Sequence, residues 1–117
     1  MNRLVLGLAC LAPGALLAYG NDSPDVQPFS VAVEAKQLHE ECVKLQAGEK
    51  RKYYWKADGP VDFNIHYHVD QEVFYPVKRD GMRGDGGTFT AKGAQDYCWM
   101  WTARDKAVKL EGRIESK

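Results

Sequence analysis

Val61-Asp62-Phe63-Asn64-Ile65-His66-Tyr67-His68-Val69-Asp70 decides the fold class. Val61, Phe63, Ile65, Tyr67 and Val69 are apolar, and the residues between them are polar. An extended chain sends successive side chains to opposite faces, so a period of two separates an apolar face from a polar one. The segment reads as a strand with one face in a core and the other toward solvent or a ligand.

Upstream, Lys50 to Ala57 (KRKYYWKA) sets Tyr53 and Trp55 against Lys52, Tyr54 and Lys56 if extended. Asp58-Gly59-Pro60 is expected to turn the chain. Further back, Phe29 to Val33 reads as a first strand and Ala47-Gly48-Glu49 as a turn. Ala35 to Cys42 fits either a turn or two of helix or an extended link into Cys42-Val43-Lys44-Leu45.

Downstream, Asp70-Gln71 fits either a hairpin turn into Glu72 to Val77 or a strand that runs straight on, and Pro76 marks an edge or a strand end. Lys78 to Gly87 (KRDGMRGDGG) is charged and glycine-rich and reads as a mobile surface loop. Thr88 to Ala91, Tyr97 to Thr102, and the alternation Val108, Leu110, Gly112, Ile114 read as further strands. Short strands at near-regular spacing imply an all-β, antiparallel, jelly-roll-like β-sandwich over residues 29–117.

The N-terminus has its own grammar. Arg3 precedes the apolar run Leu4 to Ala12, Pro13-Gly14 interrupts it, and Ala18-x-Gly20 supplies small residues at an exit. These are the parts of a secretory signal peptide over residues 1–20, with a polar leader over 21–28. Pro13-Gly14 argues against a membrane-spanning helix, which wants about 20 unbroken apolar residues. Leu8-Ala9-Cys10 has part of a lipidation pattern, but Gly7 stands where a larger aliphatic residue is expected. The protein is therefore expected to be exported, periplasmic or secreted, with no stable membrane insertion of the mature chain.

Removing the signal peptide leaves under a hundred residues, enough for one domain. Arg3 leaves with it, so the 16 basic residues fall by one against 16 acidic ones. Near-zero net charge gives no footprint for nucleic acid or an anionic membrane. Of the three cysteines, Cys42 and Cys98 remain. An even count in an exported domain points to a disulfide, worth about 4 kcal/mol in the chain-entropy model. The other reading is a pair of thiolates held for a metal.

Three local patterns resemble the GOLD domain, a β-sandwich of early secretory-pathway cargo receptors and other proteins. They are Leu45-x-Ala47-Gly48, then Pro60-Val61-Asp62-Phe63-Asn64-Ile65, then Gly87-Thr88-Phe89-Thr90-Ala91 with Gln95-Asp96-Tyr97-Cys98-Trp99. The resemblance implies the sandwich fold and a Cys42–Cys98 bridge. The chain departs from the receptors in having Cys98 directly after Tyr97 and Gln95-Asp96 in place of a glycine. It is more similar to small exported bacterial proteins of unassigned function that share the sandwich.

Candidate chemistry centres on His66 and His68, two residues apart on one strand face, where two imidazoles can share an ion. Glu72 extends this to His-x-His-x3-Glu, which resembles the first metal motif of the cupins, although no histidine follows His68 to complete the second. A turn at Asp70-Gln71 takes Glu72 off the histidine face; a straight strand keeps it there. His39, with Cys42 if its thiol stays reduced, is a further candidate ligand, and copper or zinc are the ions considered. Tyr97, Trp99 and Trp101 share a face and offer a possible aromatic surface for a sugar, a peptide or a partner protein. No nucleophile motif or phosphate loop points to an enzyme. The reading is a non-enzymatic binding or accessory module for an unknown protein, peptide or small ligand. The alternatives are a His-x-His metal protein and a degenerate cupin.

The signal-peptide reading predicts that the exported protein begins at Asn21. Intact-mass and N-terminal sequencing check this; a retained Met1 would overturn it.

Overall fold

The computed structural model describes residues 26–116, and the signal-peptide expectation lies outside them. The described residues form six antiparallel strands and no helix: β1 (Val26–Val33), β2 (Leu38–Leu45), β3 (Lys50–Val69), β4 (Glu72–Thr90), β5 (Gln95–Ala103) and β6 (Val108–Ser116). Among the described residues, no helix is long and apolar enough to cross a membrane.

β3 organises the rest. Along one edge it pairs with β4 for nearly its whole length, from Lys50 opposite Thr90 to Val69 opposite Glu72. On its other side, Arg51–Ala57 pairs with β6 and Val61–His66 pairs with β5. β6 carries β1, and β5 carries β2. The strand order is thus β1-β6-β3-β5-β2, with β4 beside β3. The sheet curls so that its β1–β6 wing faces its β2–β5 wing, and rings meet between them: Phe29 of β1 lies 5.3 Å from Trp101 of β5.

Asp58-Gly59-Pro60 does not end a strand, contrary to the expected turn. The backbone stays extended through it, with register shifts between Lys56 and Val61. A shift of this kind bends a strand and interrupts its ladder only locally. Two aspartates hold the bend. Asp58 Oδ1 accepts from the Lys109 backbone N–H at 2.8 Å. Asp62 Oδ1 accepts from the Gly81 N–H at 2.9 Å and from Arg104 Nε at 3.0 Å. Partial burial pushes the Asp62 carboxyl up, but the Arg104 and Gly81 contacts outweigh it and hold it below its ordinary range.

Lys78 to Gly87 is likewise not a loop. It runs inside β4 against β3, with Asn64 opposite Lys78 and Tyr53 opposite Gly87. The composition that reads as a loop serves the bend. Gly81 has φ +69°, which a side chain rarely tolerates. Ala35–Cys42 takes the extended option from Leu38 onward, and β1 starts at Val26, earlier than the alternation implies.

The core is aromatic. Trp55, Trp99, Trp101, Phe63, Leu45, Ile65, Leu110, Ile114 and Val61 are fully buried. Phe63 sits between Trp55 at 5.2 Å and Trp101 at 5.5 Å, centroid to centroid. Gly112 makes room for these rings. It lies opposite Phe29 on one side and Trp55 on the other. A Cβ there would stand 2.8 Å from Phe29 Cζ, 3.1 Å from Trp55 Cβ and 3.2 Å from the Tyr54 carbonyl oxygen.

Gly112→Ala is therefore expected to cost about 1–3 kcal/mol through overpacking. Gly93→Ala, where an added Cβ meets nothing within 4 Å, should stay within about 0.5 kcal/mol. Urea denaturation of the two variants checks the difference.

Candidate functional site

The register of the β2–β5–β3 wing sorts the candidate residues onto two faces. Cys42 lies opposite Cys98, and Cys98 lies opposite His66. Directly opposed residues point to the same side of a sheet. Glu40, Cys42, Cys98, Met100, Asn64, His66 and His68 therefore share the outer face. His39, opposite Trp101, belongs to the inner face. There it packs against Phe29 at 4.9 Å and bonds Glu41 Oε2 at 2.8 Å.

Cys42 and Cys98 form a disulfide, as an even cysteine count implied, with Cα atoms 4.0 Å apart. The four predicted metal ligands do not come together. His39 is on the other face from His66. The chain turns at Asp70-Gln71, with Asp70 in the left-handed region (φ 55°) that aspartate tolerates. Glu72 consequently pairs with Val69 and leaves the histidine face. His66 and His68 do stay together, their rings 5.2 Å apart, with His68 exposed.

His66 is enclosed, at 5% exposure. Its Nδ1 lies 2.7 Å from Asn64 Oδ1, and its Nε2 lies 3.2 Å from Glu40 Oε2. The Tyr75 ring is 5.9 Å away. Burial pushes the imidazole down; the Glu40 carboxylate pulls it back up, His68 adds to the fall, and the net effect is a lowered pKa. Glu40 was not singled out from the sequence. Its signal was the Cys42–Cys98 pairing, which places β2 beside β5 and brings residues two before Cys42 toward the His66 edge.

The aromatic row is also relocated. Trp99 and Trp101 are not a surface: they are 0% and 1% exposed, because their face of β5 is the one that turns into the curl. Tyr97 is buried too, its hydroxyl donating to the Gly93 carbonyl at 2.7 Å. Exposed apolar side chains gather instead at the end of the β3–β4 hairpin: Val69, Val73, Phe74 at 40% and Tyr75 at 49%. β5 pairs with β3 no further than His66, so beyond it the hairpin is two strands wide. A cleft of about 500 Å³ opens beside it, lined by Tyr53, Tyr67, Phe74, Phe89, Gln95 and Tyr97 among others.

No family model and no curated protein matches the sequence. Solved structures do match in fold. The mitogen from Yersinia pseudotuberculosis superposes with a TM-score of 0.55 at 8% identity, over 80% of this chain and 87% of that one. PliG, a periplasmic inhibitor of g-type lysozyme from Aeromonas hydrophila, gives 0.53 at 8% identity, over 80% and 88%. At that identity the likeness is one of all-β architecture, shared with small exported bacterial proteins such as PliG.

The lowered His66 pKa has a definite sign. In the unfolded chain His66 titrates near its ordinary value of about 6.5. Its stabilising effect is complete above that value and is lost as pH falls toward the folded pKa, since only the unfolded state takes up the proton. His66→Gln should therefore flatten the decline in thermal midpoint between about pH 7.5 and pH 5. An unchanged slope would show that His66 contributes nothing to it.

Proposed function

We propose that this chain is a non-catalytic, exported binding module that engages another protein through the end of the β3–β4 hairpin, with Phe74 and Tyr75 as anchors. One observation carries the reading: the hairpin runs past β5 and presents Val69, Val73, Phe74 and Tyr75 to solvent. Apolar area exposed on a two-stranded projection is stabilised when a partner covers it, at about 25 cal/mol per Å². Tyrosine suits such a contact, since its ring buries area while its hydroxyl stays wet. The adjoining cleft offers room for a side chain of the partner.

Export is supported by the N-terminal pattern and by the Cys42–Cys98 bridge, which persists in oxidising compartments. A GOLD-like sandwich is the nearest description the sequence motifs offer. The structural neighbours add that this architecture is used by a mitogen and by a lysozyme inhibitor.

The test is site-specific photo-crosslinking in the native cell envelope. A benzophenone amino acid at Tyr75 should give protein adducts that the same probe at Lys109, on β6, does not. Phe74→Ala/Tyr75→Ala should retain the β-sheet circular dichroism spectrum, and in that background a probe at Val73 should lose the adduct. A Tyr75 probe that reacts with no protein beyond the Lys109 background would end this reading. Purified g-type lysozyme is the first partner to assay directly, because one neighbour inhibits it.

A further inference from the structure

The outer face of the β2–β5–β3 wing holds a second constellation, next to the hairpin end, where the Tyr75 ring lies 5.9 Å from His66. Glu40 Oε, Cys42 Sγ and Cys98 Sγ lie within 4.8 Å of one another. His66 stands directly opposite Cys98 on the neighbouring strand, with Nε2 3.2 Å from Glu40 Oε2. Two sulfurs and a carboxylate oxygen thus lie together on the outer face, and the His66 imidazole reaches them through Glu40.

In the oxidised protein the sulfurs are spent on each other. We propose that reduction of the Cys42–Cys98 bridge converts this cluster into a binding site for one zinc-class divalent ion, with Cys42, Cys98, His66 Nε2 and Glu40 as ligands. A tetrahedral site with bonds of about 2.0–2.3 Å needs neighbouring donors about 3.3–3.8 Å apart. Opening the S–S bond frees both sulfurs to rotate toward Glu40 and His66. Two thiolates with one imidazole and one carboxylate suit zinc, cadmium or cobalt rather than calcium or magnesium.

The surroundings of His66 fit a ligand. In the tautomer that carries its proton on Nδ1, the ring donates to Asn64 Oδ1 and leaves the Nε2 lone pair for a metal. Metal-bound histidines are oriented by this type of hydrogen bond to a carbonyl oxygen. A neutral imidazole has one N–H, yet here both ring nitrogens face oxygens. A cation between Nε2 and Glu40 satisfies the contact that the single proton leaves open.

The chemistry balances with a dithiol as reductant. Its two thiols close to a disulfide, giving up two electrons and two protons. The Cys42–Cys98 S–S bond breaks and both sulfurs leave as thiols. Binding of the divalent ion then releases the two thiol protons to solvent. Oxidation reverses the sequence and expels the ion, so occupancy reports the redox state of the compartment.

The mature chain is reduced anaerobically with a phosphine and titrated with cobalt(II). Expected are one equivalent of bound cobalt, thiolate-to-metal charge-transfer absorption, the visible bands of a tetrahedral ion, and displacement of cobalt by zinc. The oxidised protein should show none of these. His66→Gln and Glu40→Gln should each weaken cobalt binding at least tenfold while the oxidised variants keep the wild-type sheet spectrum. Reduced, folded protein without charge-transfer bands would overturn the proposal, and so would wild-type affinity in both variants. If reduction alone unfolds the chain, the proposal requires one equivalent of zinc to restore the sheet spectrum, and failure to do so overturns it.

Discussion

β3 hydrogen-bonds to three other strands, and the molecule depends on its change of direction between Lys56 and Val61. A straight strand of that length would hold β5 and β6 in one flat layer, with Trp55, Phe63 and Trp101 facing water. The bend turns the two wings onto each other and makes their inner faces a core. Its cost in lost ladder pairing is met by Asp58 and Asp62, which accept the N–H groups of Lys109 and Gly81. Arg104 closes the arrangement from the end of β5 with Nη2 2.8 Å from Asp62 Oδ1.

The core that results is built on ring-to-ring contact. Trp55 and Trp101 meet edge-on at 6.3 Å, and Trp99 meets Phe89 in the same manner at 5.6 Å. Such geometry sets the positive edge of one ring against the negative face of another. The indole N–H groups of Trp55, Trp99 and Trp101 find no conventional acceptor there. Each is a desolvation cost that buried apolar area must exceed. Gly112 belongs to the same account, since its missing side chain is space that Phe29 and Trp55 occupy.

The alternation from Val61 to Val69 made the all-β class legible, because a period of two needs no tertiary context. Cys42–Cys98 was legible from cysteine count and compartment. The bend was not: Asp58-Gly59-Pro60 has turn composition, and only pairing with both β5 and β6 keeps it extended. Lys78 to Gly87 was hidden for the same reason, since its glycines serve curvature next to β3. At the site, His66 and His68 shared a face as their spacing required. The fate of Glu72 hung on one turn, which local chemistry left open. Glu40 lies 26 residues before His66 and reaches it across β5, so no linear motif could connect them.

The run Lys78-Arg79-Asp80-Gly81-Met82-Arg83-Gly84-Asp85 has a use beyond shape. β4 pairs only with β3 among the described strands, which leaves its far side with unmatched backbone donors and acceptors. A flat, apolar margin of that length would template the addition of foreign chains and begin a fibril. Here that margin carries charges of both signs and is kinked at Gly81. The segment that looks least like a strand is thus what allows so long a strand to stay solitary, protecting the molecule from edge-to-edge aggregation.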